Sequence, residues 1–374
     1  MTTQPNKAEA LFRPFKIPGL SLANRIVMAP MTRALSPGGV PGPDVAAYYR
    51  RRAEGGVGLI MTEGTWVPHP GASSLPDAPR FYGEDALAGW SRVAKEVHAA
   101  GGKIMPQLWH VGQINGAHPN PPNKGKRVGP SGMIGGMGVL PTAQEQPSTA
   151  KQLEEVAQSF VTAAESAQRL GFDGVELHGA HGYLFDQFLW QETNLRHDVY
   201  GGDLARRTRL AVDTVRGIRA RTGPDFPIVL RMSQWKQQDY GAKIANTPQE
   251  LETLLAPLVD AGVDIFHCSQ RRFWEGEFGS DMNLAGWVKK LTGKPTITVG
   301  SVTLKQDLIA SLQGAASETE QNLSRLLALL ERGDFDLVAV GRALIVDPDW
   351  PIKVKAGLEN EILPYTPKAL NNLT

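Results

Sequence analysis

The sequence predicts an α/β protein with a (β/α)8 TIM barrel, an N-terminal β-hairpin cap and a long loop after strand three. Three observations predict this fold. Short apolar runs rich in β-branched residues recur at fairly regular intervals, stretches with helical periodicity separate them, and polar side chains gather where the runs end. Eight runs over 374 residues match one barrel domain spanning residues 1–374. The candidate strands are Arg25 to Ala29, Leu59 to Thr62, Lys103 to Leu108, Gly174 to Leu177, Ile228 to Arg231, Asp264 to His267, Thr296 to Val299 and Leu337 to Val340.

The segment before the first barrel strand is the predicted hairpin. It runs from Phe12 to Leu22 and carries the turn residues Pro18 and Gly19 near its centre. Two short strands around such a turn are typical of a hairpin. Because this segment precedes strand one, we expect it to close the lower mouth of the barrel.

The clearest predicted helix precedes strand four. Thr149 and Gln152 have the spacing of a capping box, and Gly171 stands where the helix should end. The residues between them form one apolar stripe with helical spacing. This stripe consists of Leu153, Val156, Ala157, Phe160, Val161, Ala164 and Ala167.

The connection from Gly112 to Ser148 is too long for a simple loop between a strand and a helix. It is rich in Gly, Pro and Asn and has no clear periodicity. Loops of this length at the mouth of a barrel often cover an active site, so we expect it to do so here.

Composition excludes several classes of protein. Lys and Arg total 39 against 38 Asp and Glu, for a net charge of +1, which argues against nucleic acid or an anionic membrane as a partner. Neither a signal peptide nor an apolar run of membrane-spanning length is evident, so we expect a cytoplasmic protein. Cys268 is the only cysteine, so redox chemistry should come from an organic cofactor rather than from a disulfide or an iron–sulfur cluster.

Chemically capable side chains gather where the predicted strands end, which is where barrels keep their catalytic groups. Strands seven and eight end in glycines at the place where barrels commonly bind a phosphate. The candidate residues are Pro30, Met31, Thr32, Gly64, Gln107, His178, His181, Tyr183, Arg231, Gly300, Gly341 and Arg342.

These groups fit flavin mononucleotide better than a simple sugar phosphate. The Gln107 amide can both donate to and accept from a pyrimidine edge, and the Thr32 hydroxyl can donate to a ring carbonyl. Arg231 can stabilise the negative charge that gathers near N1 and O2 on reduction. The residues alone leave alternatives open, since Arg231 could form an ion pair at the barrel mouth and the glycines could be plain turn residues.

The chain resembles the old yellow enzyme family from about residue 11 to residue 358. Each motif is weak by itself, but the ordered set is highly specific. The motifs are Asn24-Arg25-Ile26-Val27-Met28-Ala29-Pro30-Met31-Thr32-Arg33, Thr62-Glu63-Gly64-Thr65, Gln107-Leu108-Trp109-His110, Gly174-Val175-Glu176-Leu177-His178 through Tyr183-Leu184, Gln187-Phe188-Leu189 and Tyr200-Gly201-Gly202.

The resemblance implies a barrel that binds FMN without a covalent bond and uses NADPH or NADH to reduce activated alkenes by a ping-pong mechanism. It implies that His178 and His181 bind a carbonyl or nitro oxygen and that Tyr183 supplies a proton. The implied flavin-ring contacts are Pro30, Met31, Thr32, Gly64, Gln107 and Arg231. The sequence has no GxGxxG motif after a strand, which agrees with one pocket shared by both substrates. It leaves open the choice of nicotinamide, the physiological alkene and the oligomeric state.

Two other functions compete with this interpretation. A metal-dependent hydrolase could use His178 and His181, but zinc needs at least three protein ligands, and no Asp or Glu cluster stands near them in the strand ends. An RNA-modifying flavin barrel, or a nucleic-acid-binding module, would need a basic stripe that the balanced charge does not provide.

Several other residues are open to structural roles. His98, His110 and His267 are interpreted as satisfied polar residues, and Cys268 as an inert strand-end residue. For four aromatic residues, lining of a substrate cavity and packing in the core are equally good interpretations. These are Trp66, Tyr82, Phe273 and Trp274.

The chain departs from the family pattern in two connections, residues 233–240 after strand five and residues 313–322. Residues 71–74 lack the usual aromatic residue, and Gln113 stands where some relatives have arginine. We therefore carry over no preference for substrate shape, and we expect none of these changes to touch the flavin contacts.

Overall fold

A computed structural model describes residues 8–114, 127–307, 310–311 and 314–374. The eight predicted barrel strands form one closed parallel barrel in chain order, which confirms the (β/α)8 fold. Two antiparallel hairpins within these residues lie outside the barrel. The strands are β1 (Phe15–Ile17), β2 (Leu20–Leu22), β3 (Ile26–Met28), β4 (Leu59–Trp66), β5 (Lys103–Trp109), β6 (Met133–Gly136), β7 (Val139–Ala143), β8 (Val175–His181), β9 (Ile228–Lys236), β10 (Ile265–Ser269), β11 (Thr296–Val299) and β12 (Leu337–Val340).

The helices pack around the barrel, and α3 has the predicted capping box. The Thr149 hydroxyl accepts a hydrogen bond from the Gln152 N–H at 3.3 Å, and Gln152 Oε1 accepts one from the Thr149 N–H at 2.9 Å. No helix among the described residues has the length and apolar character needed to cross a membrane. The helices are α1 (Pro43–Glu54), α2 (Glu84–Ala99), α3 (Ala150–Arg169), α4 (Leu184–Leu189), α5 (Leu204–Arg207), α6 (Arg209–Thr222), α7 (Pro248–Ala261), α8 (Leu284–Thr292), α9 (Leu323–Arg332), α10 (Arg342–Val346) and α11 (Trp350–Ala356).

Several strands extend further toward the mouth of the barrel than the sequence predicts. β4 continues to Trp66, β8 to His181 and β9 to Lys236, since the parallel pairing persists beyond the apolar runs. Register shifts interrupt this pairing between Met61 and Gly64 and between Gly179 and His181. Such irregularities re-aim side chains at a barrel rim, so they affect the direction of the candidate site residues.

The N-terminal hairpin β1–β2 confirms the predicted cap. Phe15, Leu20 and Leu22 are buried in one cluster with side chains of the barrel interior, including Met105. The turn residue Gly19 has φ +74°, and a Cβ there would lie 1.8 Å from the Asp225 carbonyl oxygen. Only glycine therefore fits this turn against the barrel.

The long connection after β5 contains a hairpin that the sequence does not reveal. β6 and β7 pair antiparallel, and Met137 lies in the turn between them. The Gly138 N–H donates to the Gln237 carbonyl at 2.8 Å, so the hairpin is tied to the segment after β9. The remainder of the predicted loop between residues 115 and 126 lies outside the described residues.

The polar segment 313–322 is also partly described. Gln313 lies outside the described residues, while Thr319 forms a bridge with Leu304 and Ser317 forms one with Tyr365. The described part of this segment therefore connects the end of the barrel to the C-terminal region.

Candidate active site

All the predicted site residues line two adjoining cavities at the carboxyl ends of the strands. The larger cavity has an empty volume of about 1180 Å³, and the smaller one has about 510 Å³. They share Met31, Arg231 and Trp235. Of the predicted residues, the larger cavity contains Pro30, Met31, Thr32, Gly64, Gln107, His178, His181, Tyr183 and Arg231, and the smaller one also contains Gly300, Gly341 and Arg342.

His178, His181 and Tyr183 form one cluster on the wall of the larger cavity. The ring centroid of His178 lies 5.1 Å from the ring centroid of His181 and 4.7 Å from that of Tyr183. His178 Nδ1 is buried and has no hydrogen-bond partner among the described residues. A buried polar atom of this kind is a candidate for contact with a ligand.

His181 has an unusual backbone, with φ +64°, a region that non-glycine residues rarely adopt. Its N–H donates to Ser233 Oγ at 2.9 Å, and its Nε2 lies 2.8 Å from Ser269 Oγ. The ring of Trp235 packs over the imidazole at 4.5 Å between centroids. These contacts fix the imidazole in spite of the backbone strain.

Burial sets the charge states of this cluster. Burial, with the nearby Arg231 as a smaller cause, lowers the pKa of His178 and of His181 well below the usual value of 6.5. Both imidazoles are therefore neutral at neutral pH. Burial also raises the pKa of Tyr183, against smaller opposing effects of Gln237 and Arg231, so the phenol keeps its proton.

A fully buried ion pair supports the loop that carries Tyr183. Lys236 Nζ lies 2.7 Å from Asp186 Oδ1, and both side chains have 0% exposure. The other carboxylate oxygen of Asp186 accepts from the Gly182 N–H at 2.7 Å, while Lys236 also donates to the Ser233 carbonyl at 3.0 Å. The ion pair thus joins β9 to the start of α4. Sequence reasoning did not find these residues.

Gln107 and Arg231 lie above a buried acidic group. The Gln107 amide nitrogen donates to Glu176 Oε1 at 2.7 Å, and His267 Nδ1 lies 2.6 Å from Glu176 Oε2. Arg231 Nε is buried without a partner among the described residues. Glu176 was missed as a site residue, although a charged residue inside an apolar strand was a usable signal.

The loop after β3 is fixed by a second buried carboxylate. Glu63 Oε2 accepts from the N–H groups of Arg33 and Ala34, each at 2.8 Å. Burial raises the pKa of Glu63 to about 7, against the opposing effect of these two bonds. Met31 and Thr32, which line the cavity, directly precede this anchored turn.

The smaller cavity has the features of a phosphate site. Gly300 has φ +142°, and a Cβ there would lie 2.6 Å from the Gln270 carbonyl oxygen. A Cβ on Gly341 would lie 3.1 Å from Met31 Sδ. The Arg342 guanidinium donates to the carbonyl groups of Asp307 at 2.8 Å and Gln306 at 2.7 Å, so it also organises the surrounding loop.

These observations fit FMN. The smaller cavity combines close backbone approach with a buried guanidinium, as a phosphate requires. The adjoining larger cavity combines the Gln107 amide with buried, unpartnered nitrogen atoms on His178 and Arg231. In the larger cavity, a Cβ on Gly64 would lie 3.0 Å from the Trp109 ring, so the strand passes close to the cavity wall there.

The histidines interpreted as structural have partners. His98 Nε2 lies 2.7 Å from Asp173, and His110 Nε2 lies 3.0 Å from His69 Nδ1. His267 contacts Glu176 below the cavity. Cys268 is buried, and burial raises the pKa of its thiol. The described residues contain no group of three or more His, Cys, Asp or Glu side chains that could bind a metal ion, so His178 and His181 have no third ligand there.

Of the two roles considered for four aromatic residues, the larger cavity does not support the lining role. Trp66, Tyr82, Phe273 and Trp274 are absent from the lining of the larger cavity, and Phe273 is fully buried in the core. Other aromatic side chains supply the walls. They are Trp109, Trp235, Tyr240 and Tyr365.

The placement of residues 233–240 in a connection is also only partly right. Residues 233–236 continue β9, and Trp235, Gln237 and Tyr240 line the larger cavity. The change in this segment therefore reaches the cavity that Arg231 lines. After residues 71–74, Leu75 supplies the wall, while Gln113 is buried and its N–H donates to Gln187 Oε1 at 3.0 Å.

Comparisons with known proteins agree with this geometry. Residues 10–361 match the model of the NADH:flavin oxidoreductase / NADH oxidase family. The chain is 35% identical to NADH oxidase of Thermoanaerobacter brockii over 97% of its own length and 52% of that protein, so it spans about half of that relative. It is 33% identical to 12-oxophytodienoate reductase 7 of Oryza sativa subsp. japonica, over 97% of this chain and 93% of that one.

Solved structures of similar fold include proteins of the same kind. Morphinone reductase in complex with tetrahydroNAD superposes with a TM-score of 0.79 and 27% identity, over 96% of this chain and 93% of the other. The old yellow enzyme homologue from Zymomonas mobilis superposes with a TM-score of 0.76 and 25% identity, over 97% and 99% of the two chains.

Proposed function

The chain belongs to the old yellow enzyme family of FMN-dependent NADH:flavin oxidoreductases. We propose that it uses NADPH or NADH to reduce the carbon–carbon double bond of α,β-unsaturated carbonyl compounds. We propose that it also reduces the double bond of the corresponding nitro compounds. The observation that carries this proposal is the cluster of His178, His181 and Tyr183 on the wall of the larger cavity. Two neutral hydrogen-bonding imidazoles beside a protonated phenol are suited to polarise an oxygen and protonate a carbon.

FMN, when bound, supplies the hydride chemistry, since it can accept a hydride from a reduced nicotinamide and deliver one to an alkene carbon. Gly300, Gly341 and Arg342 would hold its phosphate. The residues that would hold its ring are Pro30, Met31, Thr32, Gly64, Gln107 and Arg231. We propose that both substrates use the same cavity in turn, so the kinetics should be ping-pong.

His178 and His181 would bind the carbonyl oxygen of the alkene substrate. Both are neutral, because burial lowers the pKa of each well below 6.5. A neutral imidazole can donate one hydrogen bond to that oxygen and stabilise the enolate-like charge that develops on it. The contact of His181 with Ser269 and the ring of Trp235 would keep this geometry fixed before the substrate arrives.

Tyr183 would protonate the α-carbon. Its pKa is raised by burial, so the proton stays on the phenol oxygen at neutral pH. Gln237 and the cation of Arg231 act in the opposite direction and would stabilise the phenolate that remains after the proton has left. Trp109 packs edge-on against the Tyr183 ring at 5.2 Å, which restricts the direction of the phenol.

Replacing Tyr183 with phenylalanine tests the function directly. Tyr183→Phe should slow reoxidation of the reduced protein by cyclohexenone by about 10²- to 10⁴-fold, the usual contribution of a general acid. Flavin reduction by the nicotinamide should stay nearly unchanged, because that step needs no acid from the protein. Stopped-flow absorbance at the flavin band measures the two half-reactions separately.

Tyr82→Phe is the matched control, because Tyr82 does not line the cavity. It should leave both half-reactions unchanged. Reoxidation of Tyr183→Phe at the wild-type rate would show that another group supplies the proton. Heat release of FAD from the purified protein, or failure to bind any flavin after reconstitution with FMN, would refute the proposed function itself.

A further inference from the structure

A buried polar layer lies below the larger cavity, and two of its members, Glu176 and His267, have no role in the chemistry described above. Glu176 is at its centre, on β8, with 0% exposure. It accepts from the Gln107 amide nitrogen at 2.7 Å and faces His267 Nδ1 at 2.6 Å. The layer thus joins three strands of the barrel, the paired strands β5 and β8 and, beyond β9, strand β10.

A carboxylate in this position is costly for the fold. Removing a charge from water costs several kcal/mol, and apolar side chains often replace buried ion pairs without loss of stability. The barrel interior also holds an apolar cluster that contains Met61, Met105 and Val229. A buried charge at the floor of a ligand cavity therefore calls for a role beyond packing.

The chemistry of the carboxylate determines the orientation of the Gln107 amide. An ionised carboxylate only accepts hydrogen bonds, so the group of Gln107 that faces it must be the NH₂ group. The backbone of Gln107 is fixed independently, since its N–H donates to Thr62 Oγ1 and its carbonyl accepts from Thr65 Oγ1, each at 3.1 Å. The side chain is therefore anchored at both ends.

His267 completes the same arrangement from the other side. Burial is the largest cause of the lowered pKa of His267, so the ring is neutral. The ring then donates its Nδ1 hydrogen to the Glu176 carboxylate. Both oxygen atoms of Glu176 are then used. One hydrogen of the Gln107 amide is occupied by Glu176, and the amide oxygen and the second hydrogen remain for a ligand in the cavity.

We infer that Glu176 is a positioning residue, which orients the Gln107 amide so that one acceptor and one donor meet the pyrimidine edge of the flavin. This inference rests on the proposed function. The pyrimidine edge carries an N–H group between two carbonyl groups, so it matches an amide that presents both its oxygen and a hydrogen. With the amide reversed, its oxygen would face the carboxylate and the N–H of the flavin would lose its acceptor.

The charge of Glu176 has a second effect. It acts on the Arg231 cation, which also lines the cavity. A negative charge in this layer disfavours electron density on a ring above it, so its removal should shift the flavin midpoint potential to a more positive value. A purely structural role for Glu176 does not predict that the midpoint potential shifts in a particular direction.

A double-mutant cycle on FMN binding tests the inference. Glu176→Gln should weaken FMN binding about 10-fold in the wild-type background, as expected for loss of one oriented hydrogen bond. In the Gln107→Ala background the same change should alter the dissociation constant less than about twofold, because the amide that Glu176 orients is gone. Flavin fluorescence titration of the apoprotein measures both, and circular dichroism checks the fold.

Glu63→Gln is the matched control, because Glu63 is also a buried strand carboxylate, but within the described part of the chain its carboxylate bonds only to backbone N–H groups. Its effect should be the same with and without Gln107. If Glu176→Gln fails to fold, Glu176→Met takes its place in the cycle, since it removes the buried charge and keeps the length of the side chain.

Two further measurements separate positioning from a structural role. Potentiometry of Glu176→Gln should give a more positive midpoint potential, and the wild-type protein should bind 3-methyl-FMN at least about 10-fold more weakly than FMN, because the methyl group removes the donor that meets the Gln107 oxygen. Equal effects of Glu176→Gln in both backgrounds, or an unchanged or more negative potential, would overturn the inference. Failure of the wild-type protein to bind FMN would refute the proposed function instead.

Discussion

The buried ion pair between Lys236 and Asp186 gives the most demanding test of how this site is built. Lys236→Met removes the cation and leaves the Asp186 carboxylate at 0% exposure, with the Gly182 N–H as its remaining hydrogen-bond donor. Breaking a buried pair by removing one partner costs about 3–5 kcal/mol, because the other charge stays uncompensated. We expect the free energy of unfolding to fall by that amount.

The double variant separates the charge from the packing. In Lys236→Met with Asp186→Leu no buried charge remains, and apolar replacement of a buried pair is often neutral. The Gly182 N–H then lacks its acceptor, which costs about 1–3 kcal/mol. The double variant should therefore be more stable than Lys236→Met alone and less stable than the wild-type protein.

Denaturant unfolding followed by far-UV circular dichroism measures these differences. The matched control is Lys305→Met, which breaks the ion pair with Glu318, whose two side chains are 58% and 80% exposed. It should change the free energy of unfolding by less than about 1 kcal/mol. If Lys236→Met loses no more stability than Lys305→Met, the ion pair does not fix the loop that carries Tyr183.

Three further outcomes are expected. Arg231→Met should weaken FMN binding and lower the flavin midpoint potential, because a cation beside the ring stabilises its reduced anionic form; an unchanged potential by potentiometry would contradict this. Replacing both His178 and His181 with alanine should raise the dissociation constant of para-substituted phenols in visible titrations and leave metal content unchanged, whereas loss of stoichiometric metal would favour the hydrolase. Glu63→Gln should gain stability relative to the wild-type protein, by up to about 3 kcal/mol between pH 5 and pH 8 in denaturant unfolding. The folded wild-type protein keeps the Glu63 proton up to a pKa of about 7, whereas the unfolded chain releases it near 4.3, so the wild-type protein loses stability as pH rises; a difference that is constant with pH would contradict this.

Much of the barrel could be predicted from the sequence, because its strands are apolar, β-branched runs with local signals at their ends. The same holds for the capping box at Thr149 and for the turn at Gly19, both of which depend on nearby residues. The hairpin β6–β7 could not be predicted, since its strands contain Gly136 and Pro141 and have no clear alternation. The extension of β9 to Lys236 was hidden because polar residues interrupt the apolar pattern there.

The predicted site residues share one property, which is their position at strand ends that all barrels bring together. Glu176 and the pair of Asp186 with Lys236 lack such a signal. Their roles depend on partners far away in the chain, as with Glu176 and His267, which are 91 residues apart. Periodicity and propensity describe residues that are close in sequence, so contacts between distant residues can be identified only from the folded structure.

The left-handed backbone at His181 determines how substitution data at this position should be interpreted. Besides glycine, asparagine and aspartate tolerate this region best, while β-branched residues such as valine, isoleucine and threonine are strongly disfavoured. In a saturation library, loss of activity at position 181 would therefore combine two causes, the missing imidazole and a misplaced main chain. Asparagine separates them, because it tolerates the backbone and retains a hydrogen-bonding side chain, so it is the informative reference substitution for any selection on this enzyme.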